Sequence, residues 1–113
     1  MASADIFDAQ VLYLTTTGRK TGLRREIEIW FVEREGRVYL LTEEPNKAQW
    51  LQNVAANPAV TIKVGGRCWR ASGRMLDAKA DSELCGQVQE LARRKYQWWS
   101  DDIVEFRLDH EIG

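Results

Sequence analysis

The chain turns back on itself too often to be anything but a small β-rich fold. Within 113 residues, six short runs rich in β-branched, aliphatic and aromatic side chains alternate with glycine or proline punctuation. Gln10–Thr17 is the first, a dense Val-Leu-Tyr-Leu-Thr-Thr-Thr stretch that predicts a strand. Arg25–Glu33 is the second. Glu26, Glu28 and Trp30 alternate there with Ile27, Ile29 and Phe31, the period of two of a half-buried strand. Arg34-Glu-Gly36 makes a turn and Arg37–Thr42 a return strand. Ala59–Val64 and Arg67–Met75 flank Gly65-Gly66, a pair suited to the positive backbone angles of a tight hairpin. Gly73 marks a bulge or corner in the second of these, and Ile103–Leu108 is the last strand.

Two segments follow a helical period instead. Asn46–Ala56 places Trp50, Leu51, Val54 and Ala55 on one face, with Asn46 as N-cap and Asn57-Pro58 as the stop. Asp77 is placed to cap a second helix running to about Gln97, with Leu84, Val88 and Leu91 on its stripe. The order β-β-β-α-β-β-α-β, with connections short enough for antiparallel pairing, argues against a doubly wound sheet. Six short strands in one domain spanning residues 1–113 suit a compact barrel, because closure hides edges that invite foreign pairing. Residues 1–9 read as a loose arm or a short helical turn.

Composition narrows the function. Sixteen basic against 17 acidic side chains leave a net charge of -1. A general grip on nucleic acid or anionic lipid needs a basic excess, so neither is an expected partner. No apolar run approaches the ~18–20 residues of a membrane span. The N-terminus lacks the basic start and apolar stretch of a signal peptide, which favours a cytoplasmic, reducing location. Cys68 and Cys85 are too few for a disulfide scaffold or a four-cysteine zinc site, and both read as packing residues. His110, the one histidine, is expected in solvent beyond the last strand, so no metal site is anticipated.

The sharpest local signal is Thr15-Thr-Thr-Gly-Arg-Lys-Thr-Gly22, followed by Arg24 and Arg25. Glycines let backbone N–H groups approach a ligand oxygen, Arg19 and Lys20 supply charge, and threonine hydroxyls add hydrogen bonds. This is the equipment of a phosphate or carboxylate cradle, and equally of a solvated basic turn. A Walker loop is excluded, since a strand follows where that motif needs a helix.

The run Leu14-Thr-Thr-Thr-Gly-Arg-Lys-Thr-Gly22, then Arg25, then Trp50-x-x-Asn53-x-x-x-Asn57-Pro58-x-Val60, resembles the deazaflavin-dependent nitroreductase and quinone-reductase family. The similarity covers roughly residues 10–108. It implies a mainly β fold: a six-stranded antiparallel split β-barrel with two helices, of the type that also binds flavin mononucleotide (FMN). It further implies that coenzyme F-420 (8-hydroxy-5-deazaflavin), with FMN as the alternative, lies in a groove of the barrel. The Thr17–Gly22 loop, with Gly18, Arg19, Lys20 and Thr21, would then meet the phosphate and acidic tail. Arg25 through Trp30 would run beside the ring, Leu41 and Thr42 would add contacts at a strand end, and Trp50 and Asn53 would close over the cofactor.

The chain departs from the family in places. Glu28 and Trp30 stand where a proline and a tyrosine are usual, and Glu43-Glu44 replaces a basic, glycine-rich stretch. Tyr96 is the nearest counterpart of a substrate-facing tyrosine. Trp98-Trp99 reads as the anchor of a helix end rather than a lid, and Arg93, Arg94 and Lys95 as a solvated helical end. The function implied is an oxidoreductase carrying a hydride from reduced deazaflavin to a quinone or nitro acceptor, in a homodimer. The alternatives are an FMN- or haem-binding split barrel without turnover and a plain interaction domain.

Overall fold

The computed structural model describes residues 6–44 and 46–112; most of the expected N-terminal arm lies outside them. A 3-10 turn at Ile6–Asp8 leads into strands β1 (Val11–Thr17), β2 (Arg24–Trp30), β3 (Val32–Arg34) and β4 (Arg37–Thr42). Helix α1 (Gln49–Ala56) follows, then β5 (Ala59–Val64), β6 (Arg67–Met75), helix α2 (Ser82–Tyr96) and β7 (Asp102–Ile112). One antiparallel sheet takes the order β2-β1-β5-β6-β7-β4-β3.

The sheet has seven strands rather than six, because the segment expected to be one strand breaks at Phe31. β2 pairs with β1 at one edge of the sheet, while β3 pairs with β4 at the other. One residue separates β2 from β3, so the two edges are joined through the backbone and the sheet curls into a split barrel. Phe31 at this seam pairs with neither strand. Its N–H donates to the Tyr96 hydroxyl at 3.0 Å, and its carbonyl accepts from that hydroxyl at 2.8 Å and from Lys95 Nζ at 3.1 Å. Both side chains also reach the N-terminal segment, Tyr96 at the Gln10 carbonyl and Lys95 at the Ala9 carbonyl. The end of α2 thus supplies the hydrogen bonds that a continuous ladder would have supplied.

Burial follows from what covers each face. Leu12, Leu14, Phe31, Val38, Leu40, Ile62, Val64, Val104 and Phe106 point into the barrel, where Trp50, Leu51 and Val54 of α1 plug the interior. On the outer face of β3, β4 and β7, Val32, Tyr39, Leu41 and Ile103 pack under Cys85, Val88 and Ala92 of α2. Consecutive residues in β4 and β7 are therefore buried on both faces, which hides the period of two. Gly73 makes the α1 contact feasible. A Cβ there would sit 2.7 Å from Val54 Cγ1 and 2.8 Å from Phe106 Cε1.

Several local expectations shift. Gly73 is no bulge; the register slips between Arg70 and Ala71 instead. β7 runs on to Ile112, so His110 is paired with Arg70 inside the strand. Asn46 does not cap α1, whose N-cap is Ala48. Asp77 accepts from Lys79 and Ala80 N–H in a turn ahead of α2, whose N-cap is Asp81. Glu35 and Gly36, at φ 53° and 80°, and Gly65 and Gly66, at 59° and 81°, form the two expected hairpin turns.

Candidate functional site

The glycine-basic loop folds as a closed turn at the end of β1. Gly18 N–H donates to the Leu23 carbonyl at 2.7 Å, and Gly22 N–H donates to the Gly18 carbonyl at 2.8 Å. Gly22 has φ 71°, the left-handed region that glycine adopts without strain. Gly18 has no room for a side chain, since a Cβ would lie 2.7 Å from Thr21 Oγ1 and 3.2 Å from the Leu23 carbonyl. The loop faces α1 across a concavity of about 290 Å³ lined by Gly18, Arg19, Lys20, Thr21, Arg25, Gln49 and Asn53. The bend therefore looks into a concavity rather than into bulk solvent.

Asn53 ties this loop to the helix. Buried to 3% exposure, it accepts on Oδ1 from the Arg19 backbone N–H at 3.2 Å and from Arg19 Nη1 at 2.9 Å. Its Nδ2 donates to Thr16 Oγ1 at 3.1 Å. Arg19 Nη1 also donates to Gln49 Oε1 at 3.1 Å. Arg19 and Asn53 are thus committed largely to each other. Lys20 and Arg25 are exposed and have no ion-pair or hydrogen-bond partner among the described residues. Two free cations thus stand beside a closed glycine turn, the arrangement that an anion would need.

A second concavity, of about 560 Å³, lies on the other side of the first turn of α1. Trp30, Leu41, Thr42, Glu43, Glu44, Lys47, Ala48 and Trp98 line it. Adjacent residues Ala48 and Gln49 face one concavity each. Trp30 ends β2, at the opposite end from Arg25, five residues or ~17 Å of strand away. Its ring stacks on Tyr96 with centroids 4.4 Å apart and planes 3° from parallel. Trp98 meets it edge-on at 6.3 Å and 75°, giving two aromatic walls at nearly a right angle. Trp98 Nε1 donates to Glu43 Oε1 at 2.6 Å, which fixes the second wall.

The structure brings Gly18, Arg19, Lys20, Thr21, Arg25 and Asn53 around the first concavity, with Gly22 closing the turn, and Trp30, Leu41 and Thr42 around the second. Trp50 falls elsewhere. It is 9% exposed in the barrel core and lines neither concavity, because the helix face carrying it is the face that plugs the barrel. Thr17 faces a groove on the outer sheet surface with Arg24, Thr61 and Arg70, since alternation along β1 turns it away from Thr16. Tyr96 gives its ring to Trp30 and its hydroxyl to the seam. Burial raises its pKa, and the hydroxyl donates to the Gln10 and Phe31 carbonyls, which makes it a staple of the seam.

Trp98 packs on the cluster under α2, the anchor that its sequence context suggested, and also lines the second concavity. Gln97 before it is left-handed (φ 59°) and turns the chain back over the barrel. Lys95 is no solvated helix end. It lies half-buried 3.8 Å from the centroid of the Phe31 ring, and desolvation lowers its pKa. Its position was legible, for Cys85, Val88, Ala92 and Lys95 recur at helical spacing on the buried stripe. Arg93 and Arg94 pair with Glu90 as exposed charges should.

A buried carboxylate on the outer face of β7 is structural. Glu105, 4% exposed, accepts from Tyr39 Oη at 2.8 Å, Arg37 Nη1 at 3.2 Å and Arg74 Nη2 at 3.2 Å. Burial, with the bond to Glu105, pushes the Tyr39 phenol up to about 12. Among the described residues no cluster of His, Cys, Asp or Glu could hold a metal ion. His110 lines the outer groove, apart from the aromatic walls.

Comparison with known families decides the class. The family model described as F420H(2)-dependent quinone reductase matches residues 3–109. The chain belongs to that family. Among solved structures it is similar to the F420-H2 dependent reductase FDR-A, at 21% identity and TM-score 0.69, covering 87% of this chain and 94% of that one. A structure described as a domain-swapped dimer matches at 21% identity and TM-score 0.66, over 91% of this chain and 83% of that one. HutZ, the haem storage protein from Vibrio cholerae, matches at 22% identity and TM-score 0.68, over 92% of this chain and 83% of that one. At these identities the structures establish the split-barrel fold; the family model establishes the link to deazaflavin-dependent oxidoreductases.

Proposed function

We propose that this family member binds coenzyme F-420 across the start of α1, its anionic tail in the glycine-basic concavity and its ring against Trp30 and Trp98, and reduces a quinone. One observation carries this reading: unpartnered Lys20 and Arg25 flank one side of the helix start, and a right-angled indole pair flanks the other. The chemical demands of the cofactor match that division. A phosphate and carboxylate tail needs unpaired cations and close backbone approach, which Gly18 permits. A flat tricyclic ring needs aromatic and aliphatic walls, which Trp30, Trp98 and Leu41 supply.

When bound, the deazaflavin supplies the hydride. The chain's own residues position and shield. Asn53 and Gln49 hold Arg19, and thereby the loop, at a fixed distance from α1. Tyr96 backs Trp30 through the stacked ring while its hydroxyl is spent on the seam. Glu43 holds the indole of Trp98. Binding energy and orientation from the protein, with redox chemistry from the cofactor, is the ordinary division of labour in such enzymes.

A homodimer is part of the proposal. Tyr13, Met75, Trp99 and Ile112 remain 37–49% exposed, apolar surface that a second copy of the chain would cover. No helix among the described residues is long and apolar enough to cross a membrane, in keeping with the cytoplasmic location we propose. The reading is tested by titrating the protein with coenzyme F-420 and, separately, with FMN, then supplying reduced deazaflavin and a quinone. Saturable deazaflavin binding in the micromolar range and deazaflavin-dependent quinone loss are expected. Binding of FMN alone assigns the concavities to a flavin; binding of neither overturns the cofactor reading.

A further inference from the structure

We propose that the aromatic concavity discriminates among acceptors by charge, taking planar aromatic cations in preference to neutral rings and neutral rings in preference to anions. The inference rests on the function proposed above and adds the substrate class of that site.

Two independent features give the same sign. Trp30 and Trp98 line the concavity with indole rings, and a ring face left open is negative above its plane and attracts cations. The carboxylates add formal charge. Glu43 and Glu44 against Lys47 leave the lining at one net negative charge, two minus one. Lys47 Nζ lies 3.3 Å from Glu44 Oε1, and their side chains are 78% and 64% exposed, so this pair is close to neutral when seen from the cavity. Glu43 is the uncompensated group. Its bond to the Trp98 indole N–H at 2.6 Å leaves its charge intact and anchors it at the edge of the aromatic wall.

One cation, Lys95, lies 5.2 Å from the Tyr96 ring that backs Trp30, but it is bonded to the Ala9 and Phe31 carbonyls and is not in the lining. Arg19, Lys20 and Arg25 line the other concavity, across the first turn of α1. The site as a whole is therefore polar end to end, basic at the loop and acidic at the indoles. An anionic acceptor is drawn to the loop and away from the ring, whereas a cationic one is drawn to the indoles. Two unit charges 4 Å apart gain about 1 kcal/mol in water, roughly a fivefold effect for each sign. Salt screening reduces this, so a spread on the order of tenfold between cation and anion is expected at low salt.

The test uses three 1,4-naphthoquinones that differ in one substituent: trimethylammoniomethyl, hydroxymethyl and sulfonatomethyl. Binding is read by quenching of tryptophan fluorescence in cofactor-free protein, and again with oxidised deazaflavin present. Wild type should bind the cation about tenfold more tightly than the anion, with the neutral compound between. The spread should shrink when salt rises from about 20 mM to about 500 mM. Glu43→Gln keeps an acceptor for the Trp98 N–H but removes the charge, and should bring the three affinities together. Adding Glu44→Gln leaves Lys47 uncompensated and should invert the order. Equal affinities in wild type, or a spread that survives both substitutions and high salt, overturn the proposal. Because salt acts on wild type alone, that arm decides the matter even where a variant folds poorly. Deazaflavin titration of the same samples keeps the readings apart: bound deazaflavin without a charge spread refutes only this inference, and a charge spread without bound deazaflavin refutes only the cofactor reading.

Discussion

The two concavities flanking α1 are built by different means. The basic one is local: Gly18 to Gly22 and Arg25 are neighbours in sequence, and α1 adds Gln49 and Asn53 to close it. The aromatic one is assembled from three distant places, the end of β2, the end of β4 with the segment after it, and the chain beyond α2. Charge in the first is exposed and unpaired. In the second, the side chains are mostly engaged: Trp30 stacks on Tyr96, Trp98 is held by Glu43, and Glu44 pairs with Lys47. A site can thus combine a stiff loop offering unsatisfied charge with a wall prearranged by contacts elsewhere in the fold.

That contrast can be broken most forcefully at the loop. Lys20→Ala with Arg25→Ala removes the two free cations and should weaken deazaflavin binding by at least a hundredfold, at ~1.5–3 kcal/mol per charged hydrogen bond lost. The folded state should be barely affected, because neither side chain has a partner among the described residues. A titration with a thermal melt of the same variant checks both halves. Arg19→Ala should behave differently, lowering stability as well as affinity, since Arg19 bonds to Asn53 and Gln49.

Next in size is a control remote from both concavities. Burial, then the bond to Glu105, pushes the Tyr39 phenol up to about 12 from its ordinary 10.0. A raised folded pKa gives stabilisation that is fully present below pH 10 and is lost as pH rises toward 12, about 3 kcal/mol over that window. Tyr39→Phe should flatten stability across that window while leaving ligand binding near neutral pH unchanged, which alkaline unfolding curves and a titration would establish.

Tyr96→Phe sharpens the comparison from behind the aromatic wall. It should cost about 1–3 kcal/mol by leaving the Phe31 N–H at the seam without its acceptor. The ring that supports Trp30 is kept, so affinity for a planar ligand should fall less than stability does. Smallest in binding is Trp98→Ala, with an expected loss of about 1 kcal/mol, near fivefold, accompanied by a lower melting temperature because Trp98 packs on the cluster under α2. An unchanged melt would mean that Trp98 serves the cavity alone.

Legibility in the sequence follows the same division. Strand positions, both hairpin turns and the glycine-basic loop depend on residues within a few positions of one another, and they were readable. The break at Phe31 was not. Glu26 to Phe31 alternates as a continuous strand would, and the interruption exists because the end of α2, some 65 residues on, competes for the Phe31 backbone. Trp50 and Trp98 share one difficulty: a tryptophan at a helix or helix end is equally suited to core and cavity, and Trp98 serves both. Only the side on which α1 meets the barrel, and the left-handed turn at Gln97, separate the two. Lys95 was hidden by its neighbours Arg93 and Arg94, yet helical spacing from Ala92 marked it as facing the barrel.

The most direct measurement compares coenzyme F-420 with the same deazaflavin cut back to its ribityl chain, which lacks the phosphate and glutamate tail. The intact compound should bind at least a hundredfold more tightly to wild type, and Lys20→Ala with Arg25→Ala should erase that margin while leaving the shortened compound's affinity where it was. Equal binding of the two compounds to wild type, or a margin that outlasts the double substitution, would contradict an anion held at the glycine-basic loop.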